Sequence, residues 1–133
     1  MAPSDETMYS AHAHHRHGEA HLDVEGRDPL PYASPSQLGG DGRGYDPEQL
    51  YAAALTGCLH QALLIAATES GTDPAGSAVT TEVRLHTDGT QRYTFEATAT
   101  VELPGAAEDR RGQVLDLALR MCPVGDQVTV RLG

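Results

Sequence analysis

The chain has 133 residues, with nine basic residues, all arginine, against nineteen acidic ones, for a formal net charge of −10. That balance, without a basic stripe, excludes nucleic acid and anionic membrane surfaces as expected partners, and no stretch approaches the ~18 uninterrupted apolar residues of a membrane span. The length fits one domain, residues 1–133, able to bury roughly two thirds of its unfolded surface without a disulfide or metal staple.

Residues 1–8 are expected to be flexible, and Met1 to His17 has no basic-then-apolar signal pattern, which points to the cytoplasm. Alternating runs from Tyr9 to His15 and from Ala20 to Glu25 predict two strands of a meander, separated by Arg16-His17-Gly18. Asp28 to Gly44, with three prolines and four glycines, reads as a long surface loop of the kind that is usually functional or mobile. A helix then starts with three agreeing devices. Asp46 can cap, Pro47 suits the first turn, and Gln49 stands three residues after the cap. From Leu50 to Ala67 the run is apolar nearly all round, which predicts a buried helix at the centre of the fold, ending before Gly71. Ser77 to Thr87 alternates as a half-buried strand, Asp88-Gly89 turns, and Arg92 to Leu103 returns. Ala107 to Met121 reads as an amphipathic helix, stopped by Pro123 and Gly125, and Gln127 to Leu132 closes as a short strand. The order predicts an α+β fold, an antiparallel sheet packed around a long buried central helix. Trp is absent and Phe occurs once, so the core is small in volume and a subunit interface would enlarge it.

Two cysteines, Cys58 and Cys122, are the informative pair. In a reducing compartment such a pair means metal binding, redox chemistry or two inert buried thiols. Cys58 lies about eleven residues into the helix, beyond the reach of the helix dipole, so a reactive thiolate there needs a cation from elsewhere. With no lysine, that cation is an arginine or a histidine.

The run Leu38-Gly39-Gly40-Asp41-Gly42-Arg43-Gly44-Tyr45-Asp46-Pro47-Glu48-Gln49-Leu50-Tyr51-Ala52-Ala53, followed by Cys58, resembles the organic hydroperoxide resistance (Ohr) branch of the OsmC/Ohr family. Met121-Cys122-Pro123-Val124 resembles that family's second cysteine motif, and Arg16-His17-Gly18 its Arg-Asp-Gly turn. The resemblance implies an intertwined homodimer without metal or other cofactor. It implies a thiol peroxidase that reduces organic hydroperoxides to alcohols and is recycled by an external dithiol such as a lipoyl group. Carried over, Cys58 is the peroxidatic cysteine, Cys122 the resolving one, Arg16 activates the thiolate and Glu48 holds Arg16. Arg43, in the glycine loop, is the second choice of cation, and Arg27 is a further rival. The chain departs from the pattern at Gly125, where serine is usual, at His17, where an acid is usual, and in a shorter segment after Cys122.

Glu48 and Cys58 are ten residues apart on one predicted helix, roughly 15 Å along its axis at ~1.5 Å per residue. One arginine scarcely touches both, so each site is expected to be composite, with Arg16 and Glu48 reaching Cys58 of the other subunit. His60, two residues past Cys58, points away from it and is expected to pack at the helix flank. His12, His14, His15, His17 and His21 form a cluster whose strand faces carry two imidazoles each, too few for a tight metal site unless Glu19 or Asp23 joins. A solvated polar arm is the expectation there. Two other functions remain open: a non-catalytic module binding an apolar ligand over Cys58, and a His-rich metal-binding protein.

Overall fold

The computed structural model describes residues 6–133. The expected flexibility of residues 1–8 therefore falls, for residues 1–5, outside the described residues. The chain divides into two compact units, Met1–Pro47 and Glu48–Gly133.

In the first unit, strands β1 (Ala13–His14), β2 (His21–Val24) and β3 (Leu30–Pro31) form a small antiparallel sheet in the order β1-β2-β3. β1 and β2 are shorter than their alternation predicts, and β3 falls inside the expected loop. Pro31 lacks an N–H, so it is tolerated because β3 is an edge strand. A 3-10 turn (Ser36–Leu38) and an isolated bridge between Tyr32 and Tyr45 order the rest of the glycine-rich segment. Backbone bonds from Ala33 N–H to the Tyr45 carbonyl and from Tyr45 N–H to the Pro31 carbonyl close it into a loop with paired ends.

The second unit is built on helix α1 (Pro47–Glu69), 23 residues. Its end is a Schellman motif: Thr72 N–H bonds the Ala67 carbonyl and Gly71 N–H bonds the Thr68 carbonyl, with Gly71 at φ 68°. Strands β4 (Ala78–Thr87) and β5 (Tyr93–Glu102) pair antiparallel over ten residues, from Ala78 opposite Glu102 to Thr87 opposite Tyr93. The connection is therefore five residues, 88–92, rather than the two of a tight Asp-Gly turn. Helix α2 (Arg111–Met121) follows, and strand β6 (Thr129–Leu132) completes the sheet beside β5. Here the structure corrects the expected antiparallel sheet: β6 runs parallel to β5. Its physical reason is the intervening helix, because a β-strand followed by a crossover helix returns in the direction in which it started.

The core of this unit joins Leu59, Ala62, Leu63, Ala66 and Ala67 of α1 to Ala99 and Val101 of β5, to Leu103 just after it, and to Val114, Leu115 and Ala118 of α2. Alternation along β5 puts these residues on the helix side and Thr98 and Thr100 on the other. Burial of α1 is one-sided in the single chain. Leu63 is 1% exposed, whereas Leu64 and Ile65 are 39% and 49% exposed. By length and composition α1 could cross a membrane, with an 18-residue window of mean hydropathy 1.5. Its packed face against β5 and α2 identifies it as a core helix instead.

Candidate active site

Cys58 sits on the border of the buried face of α1. Leu55 and Ala62, three residues before and four after it, are buried, while Ala54 and Gln61 are exposed. The thiol is thus half-buried and packs against the core cluster, and that same cluster contains Cys122, 7% exposed. Both cysteines are free thiols. The structure brings to one core the two cysteines that stand 64 positions apart in the chain.

Cys122 terminates α2. Its N–H bonds the Ala118 carbonyl at 2.9 Å, and its ψ of 126° leaves the helical region, as a residue before proline prefers. The Cys122 carbonyl then accepts Gly125 N–H at 3.1 Å, closing a turn with Pro123 at its second position. A Cβ at Gly125 would overlap the Leu119 carbonyl oxygen. Glycine at this position is therefore demanded by the way the turn folds back on α2.

Glu48 lies in the first turn of α1. Its Oε2 is shielded from solvent and has no hydrogen-bond partner among the described residues. An acceptor left in that condition is costly, by roughly 1–3 kcal/mol for a neutral group and more for a charged one, so it is suited to receive a cation. Since α1 is one continuous helix, Glu48 and Cys58 do stand about 15 Å apart along it.

Arg16 belongs to the first unit. It opens the turn between β1 and β2, where Glu19 N–H bonds the Arg16 carbonyl at 3.1 Å. Its side chain is 74% exposed and its Nε lies 3.9 Å from Glu19 Oε1. Arg43 is exposed, and its backbone N–H bonds Asp41 Oδ1; Arg27 is exposed as well. Within the second unit, Arg84 pairs with Glu82, Arg131 with Thr100, Arg110 with the Ser70 carbonyl and Arg111 with the Ala106 carbonyl. Those four arginines thus have partners of their own.

His60 packs at the helix flank, its Nε2 3.0 Å from Ser77 Oγ. At 100° per residue it lies about 160° around the helix from Cys58, too far round to serve as its base. Sequence reasoning missed Tyr51, which shares the Cys58 stripe seven residues earlier. Its ring stacks on Phe95 at 5.3 Å and its hydroxyl donates to Gln127 Oε1 at 3.1 Å. The i, i+7 spacing was the available signal; the partners on β5 and before β6 were not visible without the fold.

The family model of OsmC-like protein matches residues 40–131. Among solved structures, an organic hydroperoxide resistance protein OsmC from Legionella pneumophila superposes with a TM-score of 0.84 at 24% identity, covering 96% of this chain and 97% of that one. An organic hydroperoxide resistance protein from Elizabethkingia anophelis gives 0.84 at 21%, covering 96% of each chain. The organic hydroperoxide resistance protein OhrB of Bacillus subtilis gives 0.75 at 24%, covering 95% of this chain and 98% of that one. No curated protein matches. The mixed fold of two sheets and a long helix, with a family match over most of its length, makes this chain a member of the OsmC-like protein family.

Proposed function

We propose that the protein is a two-cysteine peroxidase that reduces organic hydroperoxides to alcohols. The observation that carries this reading is the placement of two free thiols, Cys58 and Cys122, in one packed cluster, the first half-exposed and the second buried. The structural neighbours named for organic hydroperoxide resistance support it.

The Cys58 thiolate attacks the terminal oxygen of the hydroperoxide. The O–O bond breaks, the alkoxide leaves and takes up a proton as an alcohol, and Cys58 becomes a sulfenic acid. The Cys122 thiol condenses with that sulfenic acid, releasing water and forming a disulfide. An external dithiol, such as a lipoyl group, then reduces the disulfide by exchange and is itself oxidised. No bound cofactor or metal enters these steps. Arg16 supplies the cation that stabilises the thiolate and the charge growing on the leaving oxygen. Glu48 holds Arg16 in place through the carboxylate oxygen that makes no hydrogen bond among the described residues. Two subunits complete each site, the exposed Leu64 and Ile65 side of α1 forming part of their contact. A reducing compartment, the cytoplasm, keeps the resting pair as thiols.

The test is a free-thiol titration of reduced protein before and after one equivalent of an alkyl hydroperoxide. Wild type is expected to lose two thiols rapidly, Cys58→Ser none, and Cys122→Ser to accumulate a sulfenic acid. Unchanged thiols in the wild type would make the cysteines core packing and favour a non-catalytic apolar-ligand module on this fold.

A further inference from the structure

The hairpin of β1 and β2 sorts the clustered histidines into different environments. His12 Nδ1 lies 3.4 Å from Glu25 Oε2. His15 lies elsewhere: its Nε2 is 3.0 Å from the Glu19 carbonyl and its ring stands edge-on to Tyr32 at 5.1 Å. Among the described residues, His21 alone of these histidines meets two carboxylates. Its Nε2 is 3.2 Å from Glu19 Oε2 and 3.5 Å from Asp23 Oδ1.

One donor atom from each of Glu19, His21 and Asp23 lies within 4.8 Å of the others. Glu19 Oε2 is shielded from solvent, makes no hydrogen bond among the described residues, and has His21 Nε2 3.2 Å away. An imidazole nitrogen and two carboxylate oxygens that converge in this way form a mixed donor set for a cation. We propose that Glu19, His21 and Asp23 bind a divalent transition-metal ion, with His14 as the adjacent fourth donor.

Spacing supports this set. Zinc-type bonds to nitrogen and oxygen of about 2.0–2.2 Å place neighbouring ligands of a tetrahedron about 3.3–3.6 Å apart. The two measured separations from His21 Nε2, 3.2 and 3.5 Å, fall close to that edge length. His21 and Asp23 are two apart on β2 and so share a face. His14 is the cross-strand partner of Asp23, which puts it on that face within side-chain reach.

Charge and chemistry agree. Two carboxylates offset the charge of a dication, and a mixed nitrogen and oxygen set selects zinc, cobalt or nickel over calcium or magnesium, which prefer oxygen alone. Glu19 uses its two oxygens differently: Oε1 faces Arg16 at 3.9 Å and Oε2 faces His21. In the single chain the arginine thus sits beside the outer oxygen, and Oε2 is the one turned toward the other donors. None of the proposed metal ligands is a residue of the proposed peroxidase reaction.

The test is titration of the full reduced chain with Co2+ alone, read by visible d–d absorption, followed by displacement with Zn2+. One equivalent per chain is expected, without the near-ultraviolet charge-transfer band of a thiolate ligand. His21→Ala and Asp23→Asn are each expected to weaken binding by about tenfold or more, while the His12→Ala, His17→Ala double variant binds as the wild type does. Circular dichroism of each variant checks the fold, and Asp23→Asn, at an exposed isosteric position, remains informative if His21→Ala unfolds. Unchanged affinity in Asp23→Asn, a thiolate band, or a loss confined to the His12/His17 variant would overturn the site and leave an adventitious histidine arm.

Discussion

A guanidinium keeps its charge at every working pH, so Arg16 can favour a thiolate without itself titrating. In the proposed reaction, Arg16→Ala is expected to slow hydroperoxide consumption by about 100-fold or more, the usual cost of deleting one preorganised charge-stabilising donor. Arg16→Lys retains charge but not the planar fork, and is expected to fall between. Glu48 makes a sharper case, since stability and activity should move in opposite directions. Its shielded Oε2 is a liability in the folded chain, and Glu48→Gln relieves it. The variant is therefore expected to melt at the same or a higher temperature while turning over more slowly. A variant that melts lower and turns over normally would reduce Glu48 to an acid favoured by the helix dipole. At Gly125 the expected effect is purely structural. Gly125→Ala forces the turn off the Leu119 carbonyl, at a cost of about 1–3 kcal/mol in urea unfolding.

Helix α1 carries two unlike faces, and substitutions on them should separate. Leu63→Ala removes a side chain 1% exposed, and is expected to cost about 2–5 kcal/mol. Leu64→Glu, one residue on, alters a side chain 39% exposed, so it should leave the subunit core intact and weaken self-association in sedimentation. On the hairpin, the Thr90 hydroxyl and then the Thr90 backbone N–H hold the Asp88 carboxyl below its ordinary range. A lowered folded pKa means the loop is supported above the unfolded carboxyl's pKa, and that support is lost as pH falls through the lowered one. The Thr90 amide resonance should shift over that acidic window and not in Asp88→Asn. Helix α1 and the β4–β5 pair were legible in the sequence because both periodicities run long: the predicted strands end within a residue of Ala78–Thr87 and Tyr93–Glu102. β3 was not, because two residues carry no period. α2 begins at Arg111 rather than Ala107, since Arg110 N–H first closes a turn on the Ala107 carbonyl. The candidate site was legible as residue types, Cys58, Cys122 and Glu48. The engagement of Arg16 with Glu19 was not, because it depends on a turn rather than on spacing along an element.

If each site draws Arg16 and Glu48 from one subunit and Cys58 from the other, two dead variants should rescue each other. Arg16→Ala and Cys58→Ser, co-refolded at equal concentration, give statistically half mixed dimers, each with one intact site. About a quarter of the wild-type rate is then expected, against none if each chain completes its own site. One-sided burial of α1 carries a last consequence, for thermodynamics rather than chemistry. If a second copy covers Leu64 and Ile65, as proposed, the folding free energy contains a concentration. Every tenfold dilution should withdraw about 1.4 kcal/mol per mole of dimer, so the melting temperature is expected to slide downward with protein concentration. Such a protein would be sturdy when abundant and fragile when scarce.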